Sequence, residues 1–393
     1  MPKRQVYFDH AATTAVRPEV LETMLPFLGP EAFGNPSSAH RFGRAARAGI
    51  ETAKRAIAES LGAEPNQVIF TSGGTEADNL AVVGAALAAR DRGDPFRVAV
   101  SAVEHKAVLG AAHFVAHLGG EEILLPVNAL GVVDAAALEE ALVRGVGVGV
   151  VSVMWVNNEV GTIQPVPSLA ARCRDAGVCF HSDAVQAFGK IPVSVREAGC
   201  NFLTISGHKI GAPKGIGALV VRDRRAVEAI IHGGGQQFGI RPGTENVPGI
   251  VGLGKAVELA AAERPEFAPR VAALRDDFER RLLEVVPDAV INAWQAERAP
   301  HVSSVSIPGT DSEAMLMHLD LAGVACSSGS ACSTGAVEPS HVLTAMGVPR
   351  ELGVAALRFS FGRENTPEDV DAAIGALPRI VEKVRALAAV LHR

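Results

Sequence analysis

Between residues 68 and 221 the chain alternates short, almost uninterrupted apolar runs with stretches of helical periodicity, and this alternation restricts the fold more than any other feature. The runs are VIFT (68–71), RVAVS (97–101), EEILLPV (121–127), VGVVSVMWV (148–156), VCFHSD (178–183), FLTIS (202–206) and GALVV (217–221). A strand with one wet face alternates apolar and polar residues. Several of these do not, which fits strands buried on both faces of a largely parallel sheet. Helical segments are expected between them, notably at 76–90 and 167–176. After about residue 254 the pattern changes to a long amphipathic helix at 271–286, a strand-like HVSSVSI (301–307), a second strand at 357–361 and a terminal helix at 367–392. That segregation predicts a smaller α+β domain, with a boundary near 255–262. No period of 20–50 residues repeats, so the chain is not a solenoid.

A length of 393 residues makes two domains the natural expectation. Hydrophobic residues make up 48% and charged residues 20%, the balance of a globular rather than a disordered chain. The net charge is −6 with no basic block, which argues against a nucleic-acid partner. The opening MPKRQVYFDHAATT holds no apolar stretch long enough for a secretory signal. The longest apolar run, 146–156, is too short to span a bilayer. A cytoplasmic location with no membrane partner is therefore expected.

Five cysteines without a CxxC pair argue against both a disulfide framework and a zinc knuckle. Cys173, Cys179 and Cys200 read as small buried hydrophobes. Cys326 and Cys332 flank Ser327-Ser328-Gly329-Ser330-Ala331, a small polar loop where a thiol is either a reactive group or incidental.

The richest stretch runs from His181 to Lys209. HSDAVQ closes one strand, FLTIS forms the next, and Ser206-Gly207-His208-Lys209 follows at once. Asp183 and Lys209 therefore fall at the ends of neighbouring strands, where α/β sheets collect their active-site groups. Only eight of the 37 basic side chains are lysine, which makes a lysine here less easily dismissed as filler. Such a pair suits an enzyme using pyridoxal phosphate: the lysine holds the aldehyde as a Schiff base, and the carboxylate keeps the pyridine nitrogen protonated. A strand-end acid and a surface lysine are the plainer alternative.

Other segments add to this. Thr71-Ser72-Gly73-Gly74-Thr75-Glu76 lies between a strand and a helix, where backbone N–H groups and the helix dipole can cradle a phosphate; the plainer reading is a helix capped by Thr75. No Walker A sequence occurs, and the GVGVGV run at 145–150 enters a strand rather than a helix. His105, in VEHK, could stack on a flat ring or shuttle protons. Asn157-Asn158-Glu159 offers amides at the same sheet edge. Arg358, in LRFSFGR, could grip a carboxylate through two hydrogen bonds or serve as a structural ion-pair partner. Asn35, in GNPSSAH, is a candidate mobile polar contact.

Taken together, these segments resemble the cysteine desulfurases of the fold-type I, class V aminotransferase group of pyridoxal-phosphate enzymes. The matching stretches run in family order: YFDHAATT (7–14), GNPSSAH (34–40), FTSGGTEADN (70–79), VEHKAV (103–108) and VNNEVGTIQP (156–165). They continue with HSDAVQAFGK (181–190), SGHKIGAPKGIG (206–217), RPGTEN (241–246), SSGSACSTG (327–335), EPSHVL (338–343) and RFSFGR (358–363). SGHK and SSGSAC are the most specific.

The resemblance implies a large cofactor-binding domain over 16–260 with a mostly parallel central sheet. A smaller α+β domain from 1–15 and 261–393 would carry the cysteine loop. It implies Lys209 as the Schiff-base lysine, with Gly74, Thr75, Ser206 and His208 at the phosphate. Asp183 would face the pyridine nitrogen, Gln186 and Asn158 the phenolic oxygen, and His105 would stack on the ring and relay protons. Thr244 would complete the partner subunit's phosphate site, which implies a homodimer. Asn35 and Arg358 would hold the carboxylate of L-cysteine. Cys332 would accept the sulfur as a persulfide, leaving L-alanine, then pass it to an acceptor or iron–sulfur scaffold protein; Cys332 could also be a transient iron–sulfur ligand. The chain departs from the commonest pattern at DHAATT, at Ser333, and in ending at VRALAAVLHR. A selenocysteine lyase or another enzyme of this fold would share the cofactor residues without needing Cys332. A non-catalytic scaffold would leave Lys209 and Asp183 without a purpose.

Overall fold

The computed structural model describes residues 5–143, 147–329 and 338–391. Among them, seven strands lie side by side in the order Val68–Thr71, Gly217–Val221, Phe202–Ser206, Cys179–Asp183, Val150–Ser152, Arg97–Ser101 and Glu121–Leu125. The last five are mutually parallel, and Gly217–Val221 runs antiparallel to both its neighbours. This is the α/β architecture with a mostly parallel sheet that the apolar runs imply. Parallel pairing puts the ends of these strands at one edge of the sheet. Asp183, Ser206 and the segments after Ser101 and Ser152 emerge there together.

The run at 148–156 yields a strand of only three residues, Val150–Ser152. Beyond it, the Val153 and Trp155 N–H groups still bond the carbonyls of His181 and Asp183. The Met154 N–H, however, donates to Glu104 Oε1 at 2.6 Å instead of to a strand. A side-chain carboxyl thus ends the ladder one step early and turns the chain toward the sheet edge.

Helix Gly74–Asp91 starts one residue before the expected Thr75 cap, with Gly73 at the N-cap position. Leu80, Val82, Val83 and a series of buried alanines pack it against the sheet. At the sheet edge beneath its start, Gly217 must be glycine. A Cβ there would lie 2.7 Å from the backbone carbon of Gly73.

Residues beyond the sheet form a separate antiparallel sheet in the order Ala356–Ser360, Val302–Ser306, Val290–Ile291. Val6–Tyr7 pairs in parallel with Val324–Ala325, and Phe8 packs with Phe278, Phe359 and Phe361 in one buried cluster. Each such ring stabilises the fold by roughly 1.5–3 kcal/mol through burial. The helix expected at 271–286 is longer, spanning Val247–Val285 without a break. Its early residues Ile250, Leu253 and Val257 pack on the core of the large sheet, and Val271, Phe278 and Leu282 join the phenylalanine cluster. Residue 260, the expected end of the large domain, therefore falls inside a helix. Pro265 and Pro269 hide that continuity from a sequence reading, since each removes a backbone donor. No helix among the described residues is long and apolar enough to cross a membrane.

Candidate active site

A cavity of about 380 Å³ opens at the edge of the sheet where Asp183 and Ser206 emerge, and Lys209, His105, Asp183 and Arg358 all line it. Lys209 ends a one-turn helix, Gly207–Lys209, directly after strand Phe202–Ser206. Its Nζ donates to the carbonyls of Ala11 at 2.6 Å and Ala12 at 2.7 Å. Burial, and then the nearby Arg358 guanidinium, push its pKa down to about 8. With a pKa of about 8, roughly a tenth of this amine is neutral at pH 7, far more than of an ordinary lysine, which is what a nucleophilic or basic lysine requires.

Asp183 ends its strand, and its Oδ1 accepts from the Val185 N–H at 2.8 Å. Burial raises its pKa, while the Val185 bond, His105 and Lys209 oppose the rise. Two further carboxyls, which sequence reasoning missed, surround it. Asp78, on helix Gly74–Asp91, is buried with Oδ1 unpartnered. Glu104 uses Oε1 on Met154 and leaves Oε2 buried and unpartnered. Burial first, with the Asp183 charge adding to it, raises both well above the ordinary carboxylate range. Burial and mutual repulsion thus favour the neutral forms of Asp78 and Glu104. His181 lies 3.7 Å from Asp78, but burial drives its pKa down to about 3 and the pair is not ionic. Its ring nitrogens are taken by Ser152 Oγ at 2.8 Å and Thr204 Oγ1 at 2.9 Å. Both missed acids sit in segments the sequence singles out, TEADN and VEHK. The available signal for Asp78 was an acid just ahead of the uninterrupted apolar run 80–89 of its helix.

His105 is the N-cap of helix Lys106–His117, and its Nδ1 accepts from the Ala107 N–H at 3.1 Å. That bond assigns the proton of the neutral ring to Nε2. Burial lowers its pKa and keeps it neutral. Gly74 and Thr75 open helix Gly74–Asp91, where N–H groups have no intrahelical partner. Ser206 Oγ is buried and without a partner beside them. His208, its pKa pushed down to about 4 by burial, contacts Thr13 Oγ1 at 3.2 Å. These groups form a ready anion cradle.

Gln186 donates to the Ala11 carbonyl at 2.8 Å, and its Oε1 faces His301 Nε2 at 3.1 Å. Asn158 lines the cavity, and its carbonyl accepts from Arg358 Nη1 at 2.9 Å. Arg358 also pairs with Asp9 at 2.9 Å, while its Nε is buried and unpartnered. It is at once an ion-pair partner and a cavity-lining cation.

Asn35 and Thr244 are not brought to this cavity within one chain. Both are exposed, and Asn35 Oδ1 accepts from the Ser37 N–H in its own loop. Cys332 lies outside the described residues. Cys326 does not, and burial pushes its thiol up, away from the thiolate. Burial likewise pushes Cys173 and Cys200 up to about 12. Cys179, expected to be buried, is only half-buried. Among the described residues, no cluster of His, Cys, Asp and Glu could hold a metal ion.

A family model described as aminotransferase class-V matches residues 6–373. The cysteine desulfurase IscS of Dictyoglomus turgidum is 46% identical over 98% of this chain and 96% of its own length. A solved NifS-like protein superposes with a TM-score of 0.86 at 35% identity, covering 98% of this chain and 99% of that one. A structure described as SspA in complex with cysteine reaches 0.79 at 34% identity, over 91% and 98%.

Proposed function

The chain belongs to the class-V aminotransferase family, and on that premise we propose that Lys209, Asp183 and Arg358 serve one pyridoxal-phosphate site at which Cys332 takes sulfur from the substrate. The enzyme is a cysteine desulfurase: it removes sulfur from L-cysteine and leaves L-alanine. The observation that carries the assignment of residues is Lys209, its pKa pushed down to about 8, sharing one cavity with Asp183 and with the unpartnered Ser206 hydroxyl.

The residues fit that cofactor. The Ser206 hydroxyl and the free N–H groups at Gly74 and Thr75 suit a phosphate, with His208 alongside. Asp183 suits a protonated pyridine nitrogen, because an opposing cation restores the charge that burial disfavours. His105 would stack on the ring, and Gln186 and Asn158 would meet its phenolic oxygen. Exposed Thr244 would complete the same cradle in a partner subunit, making the working unit a homodimer. When bound, pyridoxal phosphate supplies a sink for the electrons left at the substrate's Cα.

The chain's own groups do the rest. Arg358, which lines the cavity, holds the substrate carboxylate; Asn35 lies away from the cavity of its own chain and would join it only from a partner subunit. Lys209 Nζ takes the Cα proton, a task its lowered pKa suits at neutral pH. His105, with its proton on Nε2, stands as the relay to the leaving side. The Cys332 thiolate attacks the substrate sulfur; an S–S bond forms, the C–S bond breaks with its electron pair left toward Cβ, and protonation of Cβ followed by return of a proton from Lys209 to Cα completes alanine. The persulfide sulfur then passes to an acceptor or iron–sulfur scaffold protein. The test is mass spectrometry of the protein after one equivalent of L-cysteine: one extra sulfur on Cys332 for each alanine is expected. Alanine formed with Cys332 unmodified would replace this reading with a lyase that releases sulfur directly.

A further inference from the structure

His301 opens the HVSSVSI run and lies buried just before strand Val302–Ser306 of the smaller sheet. Its carbonyl accepts from the Phe361 N–H at 2.8 Å, which pins it beside strand Ala356–Ser360, the bearer of Arg358. Its ring meets a residue of the active-site cavity: Nε2 lies 3.1 Å from Gln186 Oε1. Gln186 follows strand Cys179–Asp183, is itself buried, and lines the cavity together with Lys209 and Asp183.

The neighbours of this pair decide which atom donates. Gln186 Nε2 lies 2.8 Å from the Ala11 carbonyl, and a carbonyl can only accept, so the amide nitrogen faces Ala11 and the amide oxygen faces His301. Lys209 Nζ donates to that same carbonyl at 2.6 Å, so the amide and the lysine share one anchor. Burial first, then the charges of Lys190, Arg358, Arg275 and His10, hold the His301 pKa well below the ordinary value, and the neutral ring keeps one proton. The amide oxygen cannot donate, so that proton is on Nε2. His301 Nδ1 is buried with no partner among the described residues, and the residue lines a second cavity of about 80 Å³ with His10 and Lys190. Gln186 thus has its oxygen and one N–H committed, which leaves one N–H for the active-site cavity.

Resting on the reading that Gln186 meets the phenolic oxygen of pyridoxal phosphate, we propose that His301 is a positioning residue for that contact: by holding the amide oxygen, its Nε2–H keeps the free N–H of Gln186 presented to the cavity. Without that donor the buried oxygen loses its partner and the amide is free to turn, which sets an acceptor where the phenolic oxygen needs a donor. An N–H on the phenolic oxygen favours its anionic form, so the pH at which the link to Lys209 loses its proton falls. His301 thereby acts on the electronics of the cofactor through Gln186 and without touching it.

The test uses the full-length, cofactor-loaded enzyme and reads the pH midpoint of its visible band in His301→Leu, His301→Gln, Gln186→Ala and the double variant His301→Leu with Gln186→Ala. His301→Leu should keep the cofactor and raise the midpoint by about one pH unit, the scale of one lost hydrogen bond to a charged group. His301→Gln sets a donor near the place of Nε2 and should bring the midpoint back toward the wild type. Gln186→Ala should raise it too, and His301→Leu should add nothing further in that background, since the two residues act in series. In the wild type, the ring-nitrogen NMR shifts of His301 should place its proton on Nε2, a measurement that does not depend on how well His301→Leu folds. A wild-type midpoint in His301→Leu beside a raised one in Gln186→Ala, shifts that add in the double variant, or a proton on Nδ1 would overturn the proposal. A wild-type midpoint in Gln186→Ala would instead overturn the reading of Gln186 at the phenolic oxygen, and this inference with it.

Discussion

Lys190 donates a hydrogen bond from Nζ to the backbone carbonyl of Lys209 at 2.8 Å, and a second to the carbonyl of Phe188 at 3.2 Å. It thereby ties the segment after the Asp183 strand to the turn that carries Lys209. Lys190 is buried, and burial together with the charge of Lys209 pushes its pKa down to about 7. Two backbone carbonyls would lose their donor in Lys190→Met, which keeps the length of the side chain.

The first prediction is a loss of about 1–3 kcal/mol in unfolding free energy for Lys190→Met, the cost of leaving buried polar groups unmade. Its pH dependence has a definite sign. The folded protein releases this proton near pH 7, whereas the unfolded chain keeps it to the ordinary value of 10.5. The contribution is therefore greatest above pH 10.5 and is lost as pH falls to about 7, with a slope of at most about 1.4 kcal/mol per pH unit. Urea titrations across that window should show the slope in the wild type and a flatter one in the variant. Parallel profiles would mean that Lys190 does not titrate as its burial demands.

Lys209 gives a second pH signature. In the cofactor-free protein, uptake of pyridoxal phosphate needs the neutral amine, so the rate should climb up to about pH 8 and level off above it. Arg358 is the second-largest cause of the lowering, after burial. Arg358→Ala should therefore move the midpoint upward, toward the ordinary lysine value. Stopped-flow visible absorbance measures both. A wild-type rate still rising past pH 10 would show an unperturbed lysine, and Lys209→Ala should give no visible band at any pH.

Arg358 also carries a prediction about substrate. Its pairing with Asp9 and the Asn158 carbonyl holds the guanidinium at the cavity wall, with Nε buried and unpartnered. Arg358→Ala should retain cofactor but lower kcat/KM for cysteine by on the order of 2–5 kcal/mol, the range for losing one side of a desolvated charge pair. An unchanged kcat/KM would assign the carboxylate to another group.

The sheet was legible in the sequence because strands buried on both faces write themselves as apolar runs; VIFT, RVAVS, FLTIS and GALVV appear with unchanged bounds. The strand at 150–152 was overread, since the capture of the Met154 N–H by Glu104 is a tertiary event with no local signature. The Val247–Val285 helix was underread for the opposite reason: two prolines look like stops, and only packing on two cores keeps the helix continuous. Motif positions placed Lys209, Asp183, His105 and Arg358 around one cavity. Asp9, Asp78 and Glu104 went unassigned because burial and a charged neighbour, not spacing, give an acid its character. Asn35 and Thr244 fall outside the cavity that this chain builds.

The last prediction divides the two loop cysteines. Cys326 packs against the phenylalanine cluster, and burial, with the Asp9 charge adding to it, pushes its thiol up. It is therefore a poor nucleophile, because the thiolate is the reactive form. Cys332 lies six positions further along, outside the described residues. Cys326→Ser should keep most of the alanine-forming activity and remain the slower site toward iodoacetamide in the native protein. Cys332→Ser preserves size but cannot form a persulfide, so it should keep the visible cofactor band, still change colour with cysteine, and release almost no alanine or sulfide. Measuring alanine, sulfide and absorbance on the same samples distinguishes a lost nucleophile from a lost cofactor. If Cys326→Ser abolishes alanine formation while Cys332→Ser leaves it intact, the sulfur acceptor has been assigned to the wrong cysteine.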